Sequence, residues 1–174
     1  MKVMICKTFC FFSFFSFFVS FWAISQTCLP DFDETLNVDE FVDNSNGTAT
    51  DVSLGLVWMR CSLGQTWANE TCNGNASELT WQQALQAAHG YEYAEQLGWR
   101  VPNMKELASL TERSCVRPAI NELFFPNTSS DDYWTSTPSV VDPQRAWVIA
   151  FFNSSNSLKD KRLFVFTRLV RTAD

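Results

Sequence analysis

Pro102 divides the run Gly98–Leu107, GWRVPNMKEL, into two incompatible backbones, and no other short stretch limits the fold as much. The proline ring removes a ladder donor and steers Val101 away from helical angles, so the chain entering it must be extended. Asn103 is then a good N-cap, and Glu106 stands three positions later, at the spacing of a capping box. Leu107, Ala108 and Leu110 give the following helix one apolar face, predicted to run from Asn103 to about Arg113. A second punctuated run, DYWTSTP at Asp132–Pro138, reads as a strand of aromatic and hydroxyl residues closed by another proline. Trp58, Trp81, Trp99, Trp134 and Trp147 fall in predicted strands or on an amphipathic helix and are assigned to the core. Arg100, beside Trp99, is assigned a structural role against a carboxylate.

The rest of the chain sorts around these runs. Residues 26–40 form an acidic, aperiodic lead-in. Phe41–Asp43 and Thr48–Asp51 flank an Asn46-Gly47 turn signal and are predicted to be a hairpin, followed by a strand over Leu56–Arg60. Gly64–Ser77 is polar and glycine-bearing, a surface loop. Thr80 with Gln83 makes a second capping box, ahead of Trp81, Ala84, Leu85 and Ala88 at helical spacing, with Gly90 at the end. Ala146–Phe152 and Leu163–Val170 are expected strands. Strands first, two helices in the middle and strands last predict an α+β domain over residues 41–174, its antiparallel sheet drawn from both chain ends.

The two punctuated runs also carry a resemblance. Trp99-Arg100-Val101-Pro102-Asn103 with Glu106-Leu107, then Tyr133–Thr137, then Ala146-Trp147, resembles the Lcl C-terminal domain family, named after the adhesion domain of a Legionella collagen-like protein. FVDNSNGTATDVSLGLVWMRCSLGQTW (Phe41–Trp67), LTWQQALQAA (Leu79–Ala88) and CVRPAINELFFPNT (Cys115–Thr128) agree with it in order and spacing. The resemblance runs from about Phe41 to the C-terminus. It implies a C-type-lectin-like fold on a secreted or surface-displayed bacterial protein, with a carbohydrate or protein surface as ligand and adhesion as the role. Many members of that family carry a further cysteine where this chain has Leu169.

Export is read independently from residues 1–25. Lys2 and Lys7 precede an apolar run from Phe9 to Ile24, and Ala23 and Ser25 place small residues for cleavage before Gln26. Cys6 and Cys10 belong to that leader, so Cys28, Cys61, Cys72 and Cys115 remain, an even set in an oxidising compartment. Four cysteines allow three pairings. The short separation of Cys61 and Cys72 suits a closed loop, which leaves Cys28 for Cys115.

Charge and side-chain chemistry narrow the function. The chain carries a formal charge of −6, and its leader holds two lysines and no acid, so residues 26–174 are more acidic still. A chain this acidic is a poor candidate for nucleic acid, or for any polyanion held by overall charge. His89 is the single histidine, at a helix end, without a nucleophile signature nearby. No phosphate-binding glycine loop is present, and no close cysteine pair suggests zinc. Asp43, Asn44, Asn46, Thr48 and Asp51 faintly resemble a calcium loop, but its twelfth position is Leu54 where a bidentate acid is needed, so a polar hairpin is preferred. The expectation is a non-catalytic binding domain with no metal and no cofactor. Its ligand-contact candidates are Trp67, in the disulfide loop, and a basic patch of Lys159, Lys161 and Arg162 that a homo-oligomer would multiply.

Overall fold

Both helices begin where their side chains dictate. The computed structural model describes residues 26–31, 33, 35 and 37–174; the leader expected over residues 1–25 lies outside them, so its cleavage site has no structural counterpart here. In chain order, β1 (Thr27–Cys28) precedes a short 3-10 turn (Val38–Glu40) within the acidic lead-in. The strands β2 (Phe41–Asp43), β3 (Thr48–Asp51) and β4 (Leu56–Met59) follow as an antiparallel meander. A small hairpin, β5 (Thr66–Ala68) and β6 (Thr71–Asn73), leads to the helices α1 (Trp81–Ala88) and α2 (Met104–Ser109). Beyond β7 (Cys115–Val116) come β8 (Asp132–Pro138), β9 (Arg145–Ala150), β10 (Ser155–Asp160) and β11 (Val170–Thr172).

The result is a mixed domain of mostly antiparallel sheets with two helices. One sheet has the order β11-β4-β3-β2, so the last strand pairs with β4 and sheet from both ends of the chain does meet. A second sheet has the order β10-β9-β8. Alternation along the strands divides the interior into two clusters. Tyr133, Ile149 and Phe151 turn toward Leu107 and Leu110, at the end of α2, in the cluster that also holds Trp58. Trp134, Ala146 and Val148 turn the other way, toward Ala84 and Ala88 of α1, with Trp99, Val101 and Leu169. The second sheet is therefore covered by a helix on each face. Leu169 is fully buried there.

Both capping boxes are formed. Asn103 Oδ1 accepts from the backbone N–H of Lys105 and Glu106, and Glu106 accepts from Asn103 N–H. Thr80 and Gln83 do the same for α1. Both disulfides, Cys28–Cys115 and Cys61–Cys72, are present.

Four expectations are corrected. α2 ends at Ser109 rather than near Arg113, because the chain turns at Thr111–Arg113 to carry Glu112 inward against Ala119, Thr35 and Ser114. Leu163–Val170 is no continuous strand: Val165, Phe166 and Val170 make isolated bridges to Leu79, Tyr133 and Arg100, three different segments. The polar stretch Ser155–Asp160, outside the strands expected at Ala146–Phe152 and Leu163–Val170, is the edge strand β10, a place where a sheet tolerates polar residues on its open side. Of the five tryptophans assigned to the core, Trp58, Trp99 and Trp134 are buried, whereas Trp81 and Trp147 are only half-buried.

A furrow framed by the disulfide hairpin

The polar stretch after β4 folds back instead of extending into solvent. Cys61–Cys72 ties the β5–β6 hairpin to the end of β4. Between that hairpin, the residues that follow it and the loop around Asn127 lies an open furrow of about 530 Å³. Gln65 spans its base: its Oε1 accepts from Ser62 N–H at 3.0 Å and its Nε2 donates to Asn127 O at 3.1 Å. Asn127 Nδ2 donates to Cys72 O at 2.8 Å and to Thr71 Oγ1 at 3.2 Å, which fixes the amide and turns its Oδ1 away from those partners. Asn73 Nδ2 is likewise committed to Ala68 O and Thr71 O. Phe166 supplies the aromatic wall, tilted against Tyr133 with ring centroids 5.6 Å apart.

A buried cation braces the rim from behind. Arg168 is fully buried and donates to the carbonyls of Met59 and Arg60 and, at 2.7 Å, to Thr128 Oγ1, while its guanidinium lies 4.9 Å from the Phe125 ring centre. Burial pushes its pKa down to about 10, so it stays charged at neutral pH. Tyr133 joins the same support, with its hydroxyl 2.8 Å from Ser62 Oγ and accepting from Ser129 N–H.

The furrow continues in both directions. Glu78 and Phe166 also line a smaller hollow of about 140 Å³ that contains Asp131, Asp132 and Lys159. Asn127 also lines a hollow of about 540 Å³ beside Arg117, Glu122 and Phe152. Arg117 stacks over Phe152 there, at 4.7 Å, and burial raises the Glu122 carboxyl above the usual range.

The ligand-contact candidates are not gathered in one place. Trp67 is half-buried: the Arg60 guanidinium lies 4.2 Å from its ring centre, and its ring rests on Gly47. A Cβ on Gly47 would come within 2.7 Å of Trp67 Cγ and collide with the Tyr93 hydroxyl, so the turn residue and the tryptophan are fitted to each other. Arg60 is in turn held by Asp43 at 2.6 Å and by the carbonyls of Leu123 and Phe124. Lys159 pairs with Asp132 at 2.7 Å, which raises its pKa. Arg162 pairs with Asp160 through two nitrogens, holding that carboxyl well below the usual range. Lys161 sits 4.1 Å over the Trp81 ring and donates to Pro143 O; with Arg162 and Gln144 it lines a separate hollow of about 380 Å³. Lys159 thus opens on one hollow, Lys161 and Arg162 on another, and each cation has a partner.

The motif residues hold the scaffold. Arg100 makes a two-pronged ion pair with Glu106, at 2.7 and 2.8 Å, and this holds the Glu106 carboxyl below its ordinary range. Trp99 Nε1 donates to Gln96 O, and Pro102 O accepts from Ser136 N–H, joining the first punctuated run to the second. Trp147 faces Leu158 across the β9–β10 ladder. The acids of the hairpin turn serve the turn itself: Asp43 Oδ1 accepts from Ser45 N–H and Asp51 Oδ1 from Ser53 and Leu54 N–H. Among the described residues, no group of three or more His, Cys, Asp or Glu is placed to hold a metal ion.

Sequence reasoning missed Gln65, Asn73, Asn127 and Phe166. The only local signal was the density of Asn and Gly in the disulfide loop; nothing nearby in the chain marks Asn127 or Phe166 as its neighbours. No curated protein matches the chain. The family model described as the Lcl C-terminal domain matches residues 47–171, and these include the disulfide hairpin, both capped helices and every residue of the furrow. By that match, over well more than half of its length, the chain belongs to the Lcl C-terminal domain family.

Proposed function

We propose that this chain is an exported, non-catalytic binding domain with a C-type-lectin-like arrangement, which attaches to a carbohydrate or protein surface outside the cell and serves adhesion. The observation that carries the reading is the furrow: side-chain amides held in place by hydrogen bonds, an aromatic wall and a disulfide-clamped rim, the recognised makings of a polar ligand site. A set of nucleophile and base within hydrogen-bond reach of each other would favour an enzyme, and His89, exposed at the end of α1, has neither serine nor cysteine bonded to it among the described residues. Two disulfides are consistent with an oxidising destination, secreted or at the cell surface. Neither cofactor nor nucleic acid enters this reading.

A glycan array together with immobilised extracellular proteins tests it, using the full chain recovered after export. Retention on either, without turnover of the ligand, is the expected result. Hydrolysis of arrayed glycans would replace it with a carboxylate-dependent enzyme, and stable self-assembly with no retention would replace it with a structural subunit. On heparin the protein is expected to elute below physiological salt. The residual basic patch acts only within a Debye length of ~8 Å, and two of its three cations, Lys159 and Arg162, are already paired with acids. Later elution would contradict the charge argument, and later elution that survived alanine at Lys159, Lys161 and Arg162 would exclude the patch as well.

A further inference from the structure

The furrow is lined by uncharged polar groups and one carboxylate: Asn73, Asn127 and Glu78 offer acceptors, while Asn75 and Ser129 carry both donors and acceptors. Asn127 and Asn73 spend their amide N–H groups on the protein, at Cys72 O, Thr71 Oγ1, Thr71 O and Ala68 O. Each therefore presents its Oδ1 outward. Glu78 adds a carboxylate on the same wall, and no lysine or arginine lines this section. Phe166 is held from behind by Tyr133 and offers an apolar face beside them. Cations line the adjoining hollows, where Lys159 is paired with Asp132 and Arg117 shares its hollow with Glu122, and Arg168 lies fully buried behind the rim.

We propose that this furrow is the binding site for a neutral, hydroxyl-rich sugar unit, and that it discriminates against sulfated or carboxylated ones. The Asn73, Asn127 and Glu78 oxygens call for a ligand that donates and the Asn75 and Ser129 donors for one that also accepts; a sugar supplies hydroxyls that do both on one edge and an apolar C–H face for Phe166 on the other. A sulfate only accepts, so it would leave the amide oxygens unmatched and approach Glu78 with like charge. The open ends beside Glu78 and Asn127 leave room for a chain of units. The inference rests on the binding-domain reading and adds the place and the ligand class.

The test compares arrays of neutral and sulfated glycans on the full chain, followed by titration of the strongest neutral hit against Asn73→Ala, Glu78→Ala and Lys161→Ala variants. Asn73 and Glu78 are exposed, so their replacement leaves the core untouched. Neutral hits that weaken about tenfold with either furrow variant, the effect of one lost hydrogen bond to a polar or charged group, and not with Lys161→Ala, are expected. A neutral hit indifferent to both furrow variants, or lost with Lys161→Ala, would overturn the site while leaving the binding-domain reading in place. Hits confined to sulfated glycans, or to amino sugars that lose binding when acetylated, would overturn the ligand class. Retention on proteins with silence on every neutral glycan would overturn the whole inference and not the broader reading.

Discussion

The side chains of Trp99, Arg100, Asn103 and Glu106 find their partners within six residues of themselves, whereas Asn127 reaches back to Cys72 over 55 residues and Gln65 reaches Asn127 over 62. The first segment is built from its own sequence: proline stops the strand, asparagine caps the helix, and the arginine clamps the capping glutamate. The furrow is built only once the disulfide hairpin, the Asn127 loop and Phe166 have been brought together by the rest of the fold. Local structure thus supplies rigidity, and long-range packing supplies the surface with a shape of its own. A change in one should register as stability, and a change in the other as recognition.

The sharpest way to break that contrast is Trp99→Ala. Trp99 is buried in the cluster with Trp134 and Val148, and truncation of a core aromatic typically costs ~3–5 kcal/mol, a large share of a domain's ~5–15. Urea unfolding should show the midpoint falling by that equivalent. A variant that melted normally and lost only ligand would place Trp99 in the binding surface instead.

Replacing Cys61 and Cys72 together by serine is expected to cost somewhat less, up to ~3 kcal/mol, since the loop it closes is short. Its second consequence separates the regions: the hairpin wall of the furrow should loosen, so ligand affinity should fall by more than the stability loss explains. Chemical denaturation alongside titration of the same sample measures both. Unchanged affinity would mean that the hairpin is held by Gln65 and Asn127 without the covalent bond.

The smallest effect is expected from Glu106→Gln. Glutamine keeps the capping geometry and removes the charge that Arg100 clamps. Arg100 is partly open to solvent, so the pair contributes about 1 kcal/mol after screening. Because the folded Glu106 carboxyl titrates below its ordinary value of ~4.3, its contribution is complete above that pH. It is lost as pH falls from there through the lowered folded value. The gap between the melting curves of the wild type and the variant should therefore be smaller at pH 3 than at pH 7. A gap that did not shrink at pH 3 would assign the stabilisation to hydrogen bonding alone.

Legibility follows the same division. Thr80, Asn103 and Pro102 announced both helix starts, since a cap or a proline acts on its immediate neighbours. The Asn46-Gly47 hairpin was visible for the same reason. The strand β10 was not, because an edge strand is defined by its partner β9 and Ser155–Asp160 has no apolar alternation of its own. Trp67 stands in the sequence as a ligand-contact candidate; its packing under Arg60 depends on Gly47, twenty residues away, leaving room for the ring.

By itself, the sequence determined the mixed class, the helix starts and the family. Those follow from charge, composition and contacts between near neighbours, which survive in a linear reading. Tertiary structure alone decided that Lys159 opens on one hollow and Lys161 and Arg162 on another, each with a partner, and that distant amides share one furrow with Phe166. Both outcomes depend on which segments lie side by side, and that is fixed by burying two apolar clusters across a sheet rather than by any motif in the segments themselves.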